Sequence, residues 1–247
     1  MVKHLIRSTF DQLGYEIRRK PAPPSVTDNI FRLRASMREG LCHLRKLGFE
    51  PKTVIDVGVA HGTPELYETF PSAKHLLVEP LVEYEPAMRL ICDQYDAEYV
   101  LAAAGAKSDM TRMGVSPEME ASSLLTANIE ASIRVVPVVR LDDLCAERRL
   151  SSPYLIKVDV QGAELLVLDG ATTILQDTEA VILEVSLFSF YGVPEFAEVI
   201  AYMRERGLVA YDLFGGYNRP LDNARAQVDI LFVKKNGRFR ESMAWAS

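Results

Sequence analysis

The chain has 247 residues, 48% apolar and 25% charged, which suits one globular domain with an appendage and ample core material. Its net charge of −6 argues against a nucleic-acid partner. Cys42, Cys92 and Cys145 lack metal-ligand or disulfide spacing, no apolar run nears the about 20 residues of a membrane span, and no apolar signal core opens the chain, so a cytoplasmic setting is expected.

Residues 1–20 carry Leu5, Ile6, Phe10, Leu13 and Ile17 at helical spacing, with Lys3, Arg7, Arg18, Arg19 and Lys20 as basic partners. Two readings stay open. The helix packs on the domain or on a second copy in a homodimer, or it rests on an anionic membrane surface as a peripheral contact. Pro21, Pro23 and Pro24 then impose an extended linker. The expected division is 1–25 for helix and linker and 26–247 for the main domain.

Residues 27–48 read as a helix capped by Thr27 or Asp28, with Ile30, Leu33, Met37, Leu41 and Leu44 on one face and Gly48 at its end. Thr53 to Val57 form a short β-branched run, a buried strand. Gly58, Ala60 and Gly62 alternate through the following turn, and Thr63-Pro64 opens a helix. Small residues let a ligand approach the main chain, and a helix N-terminus offers N–H groups to it. The pattern Asp-x-Gly-x-Ala-x-Gly is neither the Gly-x-Gly-x-x-Gly of dinucleotide binders nor a P-loop, which disfavours an NAD-dependent dehydrogenase. It resembles the first motif of class I S-adenosylmethionine (SAM) methyltransferases.

Lys74 to Val78 read as a second strand ending at Glu79 and Pro80. An acid at this distance from the glycine turn can hold the two hydroxyls of a ribose. A helix over about 82–96 leads to a third strand, 98–104, ending in the small residues Ala102, Ala103 and Ala104. Met110 to Val115 and Ile133 to Val139 look strand-like, with a polar stretch around Ser122 to Leu125 between them. Leu141 then starts a short helix capped by Asp142 or Asp143.

Tyr154 to Val158 are another buried strand, running into Asp159, Gln161, Gly162 and a helix through Glu164. Lys157 and Asp159 alternate by two and share a face, where charges need pairing. Ala180 to Ser186 form a further strand carrying Glu184. The acids at the ends of strands one, two, four and five, Asp56, Glu79, Asp159 and Glu184, are expected to face one crevice. Phe188 to Pro194 and Phe214 to Pro220 form loops that can cover it or line its acceptor side.

The runs Val54-Ile55-Asp56-Val57-Gly58, Leu141-Asp142-Asp143-Leu144, Ile156-Lys157-Val158-Asp159-Val160-Gln161-Gly162-Ala163-Glu164 and Val167-Leu168-Asp169-Gly170-Ala171, with a last strand at Val228–Val233, resemble the FkbM family of SAM-dependent methyltransferases over about residues 50–235. The resemblance implies a Rossmann-like α/β domain: a seven-stranded sheet with helices on both faces and an antiparallel final strand. It implies SAM as cofactor, held by Asp56, Gly58, Ala60, His61, Gly62, Glu79, Pro80, Ala103, Ala104 and Asp159, with adenine beside the alanines. The family's usual Lys-x-Asp-x-Glu-Gly-x-Glu here has Gln161 at its first Glu, one charge fewer at the pocket.

The activity so implied is methyl transfer to a hydroxyl of a sugar, glycan or other small natural product. The acceptor must be placed in line with the methyl and must lose a proton. Asp159 and Glu164, with Lys157 beside them, are the candidate catalytic residues. Asp159 can instead cap its turn and pair with Lys157. Asp159 and Glu184 holding Mg²⁺ is a further option, with no third ligand in view. The alternative function, favoured by Gln161, is a non-catalytic SAM- or nucleotide-binding scaffold.

Overall fold

Every position of β1 (Thr53–Val57) is buried, as its β-branched run requires of a strand covered on both faces. It pairs in parallel with β2 (Lys74–Val78) on one side and with β7 (Tyr154–Val158) on the other. β3 (Ala97–Val100) continues the sheet beyond β2, and β8 (Thr178–Ser186) continues it beyond β7. β10 (Gln227–Lys234) runs antiparallel to both β8 and β9 (Leu208–Phe214). The order is β3-β2-β1-β7-β8-β10-β9, the expected seven-stranded sheet with its final strand antiparallel. This computed structural model describes residues 32–116, 122, 124 and 132–245. The expected basic helix and linker of residues 1–25 lie outside them. No helix among the described residues is long and apolar enough to cross a membrane.

Helices cover both faces. Val54, Leu77 and Leu155 pack with Leu41 and Leu44 of α1 (Met37–Lys46), Leu66 of α2 (Pro64–Thr69) and Met88 of α3 (Glu85–Gln94). Ile55, Ile156 and Leu183 pack with Leu144 of α4 (Leu141–Glu147), Val167 of α5 (Glu164–Asp169) and Met203 of α6 (Phe196–Glu205). Residues alternating along each strand supply the two faces.

Three local expectations change. The helix expected from residue 27 begins at Met37: Ser36 Oγ accepts from the Glu39 N–H at 3.3 Å while Glu39 accepts from the Ala35 N–H at 2.7 Å. This reciprocal cap fixes the start, and Thr27 and Asp28 lie outside the described residues. The strand expected over 98–104 divides. Ala103–Ala104 form β4, which pairs in parallel with β6 (Ser132–Val139) in a second sheet completed by β5 (Asp109–Val115). Finally, Asp142 caps nothing at α4, which starts after Arg140. It is buried and accepts from Thr172 Oγ1 and from the N–H groups of Thr173 and Ile174, at 3.0–3.1 Å, pinning the turn after α5.

Candidate active site

The sheet reverses direction of growth between β1 and β7, the place where open α/β sheets bind ligands. A cavity of about 450 Å³ lies there, at the carboxyl ends of the strands. One wall is the glycine turn. Gly58 has φ +76°, and a Cβ on it would lie 1.7 Å from the Asp159 carbonyl oxygen. Only glycine lets the turn after β1 touch the turn after β7.

Glu79 ends β2, and its two oxygens accept from the N–H groups of Ala60 and Leu81, at 3.1 and 3.0 Å. It lines the cavity although it is only 5% exposed. Burial raises its carboxyl above the ordinary range, against the lowering effect of the two N–H groups. Pro80, Leu81, Ala103, Ala104 and Met113 continue this side as an apolar wall.

Beneath the wall sits a buried ion pair. Lys157 Nζ lies 3.4 Å from Asp56 Oδ1 and 3.5 Å from Asp159 Oδ2, and donates to the Gly58 carbonyl at 3.1 Å. Burial opposes the charge, but Asp56 and Asp159 outweigh it and hold the ammonium above its ordinary value. Asp56 also accepts from Tyr67 Oη at 2.5 Å, and Tyr67 Oη accepts from the Thr63 N–H. Burial and Asp56 push the Tyr67 hydroxyl far up, so it stays a donor.

On the opposite wall, Asp159 is 34% exposed at its side chain. Gln161 Nε2 donates to Asp159 Oδ1 and to Glu184 Oε2, both at 3.0 Å. Gln227 Nε2 adds a second donor to Glu184 Oε2 at 2.8 Å. Burial first, and then Asp159 and Asp229, drive the Glu184 carboxyl well above the usual carboxylate range. Asp229 on β10 is pushed up to about 6 by burial and then by Asp159. Glu164 is buried, does not line the cavity, and accepts from the N–H groups of Val160 and Gly162, at 3.1 and 3.0 Å.

The structure therefore sorts the candidates. Gly58, Ala60, Glu79, Pro80, Ala103, Ala104, Asp159 and Glu184 line the cavity. Asp56 and Lys157 lie under it and hold its strand ends. Glu164 holds the Asp159–Gly162 turn and does not line the cavity. His61 is exposed, edge-on to Tyr84 at 5.0 Å, and Gly62 stands at the foot of α2; neither lines the cavity. The crevice thus collects three of the four strand-end acids, because Asp56 is sealed by Lys157 and Tyr67.

Tyr84 is a lining residue that the sequence does not single out, whereas Tyr217 comes from the 214–220 loop expected on the acceptor side. Tyr217 is placed by its neighbour: Gly216 has φ +78°, and a Cβ there would lie 2.0 Å from the Gln227 carbonyl oxygen. The Tyr217 carbonyl accepts from Ala226. Phe188 and Phe190, the expected lid aromatics, instead pack on each other with their rings tilted by 39°, and Arg219 lies over Phe188 at 4.1 Å.

These residues fit SAM. A cradle that a Cβ would fill, a buried acid at the end of β2 and a small-residue apolar wall suit an adenosine group. They do not fit Mg²⁺: the Gln161 amide, a donor, stands between Asp159 and Glu184, and no three His, Cys, Asp or Glu among the described residues can hold a metal. Glu79→Ala should weaken SAM binding about 10- to 100-fold, since hydrogen bonds to a charged group are lost. Calorimetric titration checks this, and an unchanged Kd would remove Glu79 from the cofactor site.

Among solved structures, the chain is similar to a precorrin-6y C5,15-methyltransferase from Geobacter metallireducens (13% identity, 84% of this chain and 95% of that one, TM-score 0.42). It is similar to an rRNA methylase from Streptococcus thermophilus (11%, 82% and 98%, TM-score 0.46). It is also similar to the N-methyltransferase NodS from Bradyrhizobium japonicum (8%, 80% and 95%, TM-score 0.43). A search of curated proteins found no match. The model of the methyltransferase FkbM domain matches residues 24–209. That span holds the glycine turn, Glu79 and the whole Lys157–Glu164 segment, and by it the chain belongs to the FkbM-domain family of SAM-dependent methyltransferases.

Proposed function

We propose that the chain transfers a methyl group from SAM to a hydroxyl of a sugar, a glycan or another small hydroxylated natural product. The observation that carries this reading is Asp159. It is a partly exposed carboxylate on the cavity wall, in the turn that Gly58 contacts, and it is oriented by Gln161 and Lys157. Bound SAM supplies an electrophilic methyl on a sulfonium. Glu79 is the residue to hold its ribose hydroxyls, with Ala103, Ala104, Leu81 and Met113 beside the base. The apolar wall keeps water from that side. A hydroxyl is a poor nucleophile until its proton has somewhere to go, and Asp159 offers an acceptor for it. Lys157 carries a compensating charge 3.5 Å behind that carboxylate. Glu164 acts through the turn it holds, not on the proton.

A second reading, a SAM-binding scaffold without turnover, is favoured by the amide of Gln161 in place of a third acid. One assay separates the two. The protein is incubated with methyl-labelled SAM and a panel of deoxy sugars, glycan intermediates, amines and thiols. Label on a hydroxyl oxygen is the expected result. Label on nitrogen or sulfur, or micromolar SAM binding with no transfer to any acceptor, would overturn the proposal, the last in favour of the scaffold.

A further inference from the structure

Gln161 occupies an unusual place. It follows β7 with φ +56°, a left-handed conformation that side chains other than glycine adopt at some strain. Two sets of bonds hold it there. Below, Glu164 accepts from the N–H groups on either side, those of Val160 and Gly162. Above, the side-chain amide spans the gap between the ends of β7 and β8. Its nitrogen carries two hydrogens and has two acceptors, Asp159 Oδ1 and Glu184 Oε2, each at 3.0 Å. Gln227 reaches the same Glu184 oxygen from β10.

Two carboxylates converging on one point repel each other unless something positive or donating stands between them. A divalent cation is one solution, since carboxylate oxygens are its preferred ligands. A carboxamide nitrogen is another. It offers two N–H groups, is no metal ligand, and directs its hydrogens at the lone pairs a cation would need.

We infer that Gln161 is a positioning residue whose carboxamide clamps Asp159 to Glu184 where a divalent cation would otherwise sit, so that methyl transfer runs without one. This rests on Asp159 as the proton acceptor. The clamp sets the direction of its carboxylate and ties it to a strand end that is itself anchored by Gln227.

The test uses the full chain and three variants. Gln161→Glu removes both donors and leaves three carboxylates facing one gap. It should take up Mn²⁺, read by electron paramagnetic resonance, whereas the parent should take up none. Its acid limb in the pH–rate profile should move up by about one unit or more, because like charges resist ionising together. Gln161→Met keeps the length without the donors, and should lower kcat about 10- to 100-fold with the KM for SAM little changed. The parent's turnover should withstand EDTA. Mn²⁺ uptake by the parent together with loss of turnover in EDTA would overturn the inference. So would a Gln161→Glu variant that folds by circular dichroism yet neither takes up Mn²⁺ nor shifts its profile. The Mn²⁺ signal needs no turnover, so it stands apart from the fate of Asp159. Unchanged kcat in Asp159→Asn with Mn²⁺ uptake by Gln161→Glu would remove the proton role and with it the catalytic half of the inference. Loss of activity in both Asp159→Asn and Gln161→Met supports the whole.

Discussion

Asp159→Asn should lower kcat by about 100- to 10,000-fold, the usual worth of a positioned general base, while SAM binds within about threefold of the parent. Asparagine keeps the side chain's size, and its Oδ1 still accepts from Gln161 Nε2 at the place where Asp159 Oδ1 does, 3.0 Å away. What it loses is the ability to take a proton. In barrier height the expected loss is about 3–5.5 kcal/mol. Binding should hold because the cofactor groups lie elsewhere, on Gly58, Glu79 and the alanine wall. Single-turnover rates and calorimetry on the same preparation read both quantities. Turnover equal to the parent's would leave Asp159 as a turn residue paired with Lys157.

Lys157→Met should destabilise the fold by about 3–5 kcal/mol, the loss expected when one partner of a buried pair is removed. Asp56 is fully buried, and Lys157 is 6% exposed. Without the ammonium, Asp56 keeps the Tyr67 hydroxyl alone, and the Gly58 carbonyl loses its side-chain donor. For a domain of this size the shift in Tm is about 6–20 °C. The double variant Asp56→Asn/Lys157→Met should recover part of the loss, because no uncompensated charge stays buried. Urea unfolding of the parent, both singles and the double checks this; a loss below about 1 kcal/mol in Lys157→Met would show that the pair contributes little.

Much of this architecture is legible in the chain because the central strands are buried on both faces and therefore read as continuous apolar runs. Thr53 to Val57, Lys74 to Val78 and Tyr154 to Val158 needed no tertiary context. The alternation of Lys157 and Asp159 likewise announces a paired strand end. Other features depend on contacts between distant segments. Asp56 looks like a crevice acid until Lys157 and Tyr67 close over it. Asp142 looks like a cap until the Thr172–Ile174 turn arrives on it. Ala103 and Ala104 read as the apolar continuation of β3, yet the β5–β6 pair offers them the edge of another sheet. The start of α1 was readable, since Ser36 and Glu39 have capping-box spacing; the longer apolar periodicity from Ile30 outweighed it. Gln161 was visible as a departure from a motif, but its bridge to Glu184 is a matter of fold.

Lys157, itself buried, joins the turns after β1 and β7 through the Gly58 carbonyl and Asp159. The cofactor side and the proposed proton acceptor thus keep a fixed separation, set by this buried ammonium. On the proposed function, the surfaces that meet an acceptor come from other segments: Leu124 beyond β5 and Tyr217 from the turn before β10. Alignment and recognition are therefore separable parts of this molecule. On the proposed function, exchanging the loops should change which compounds enter while the reaction geometry stays intact.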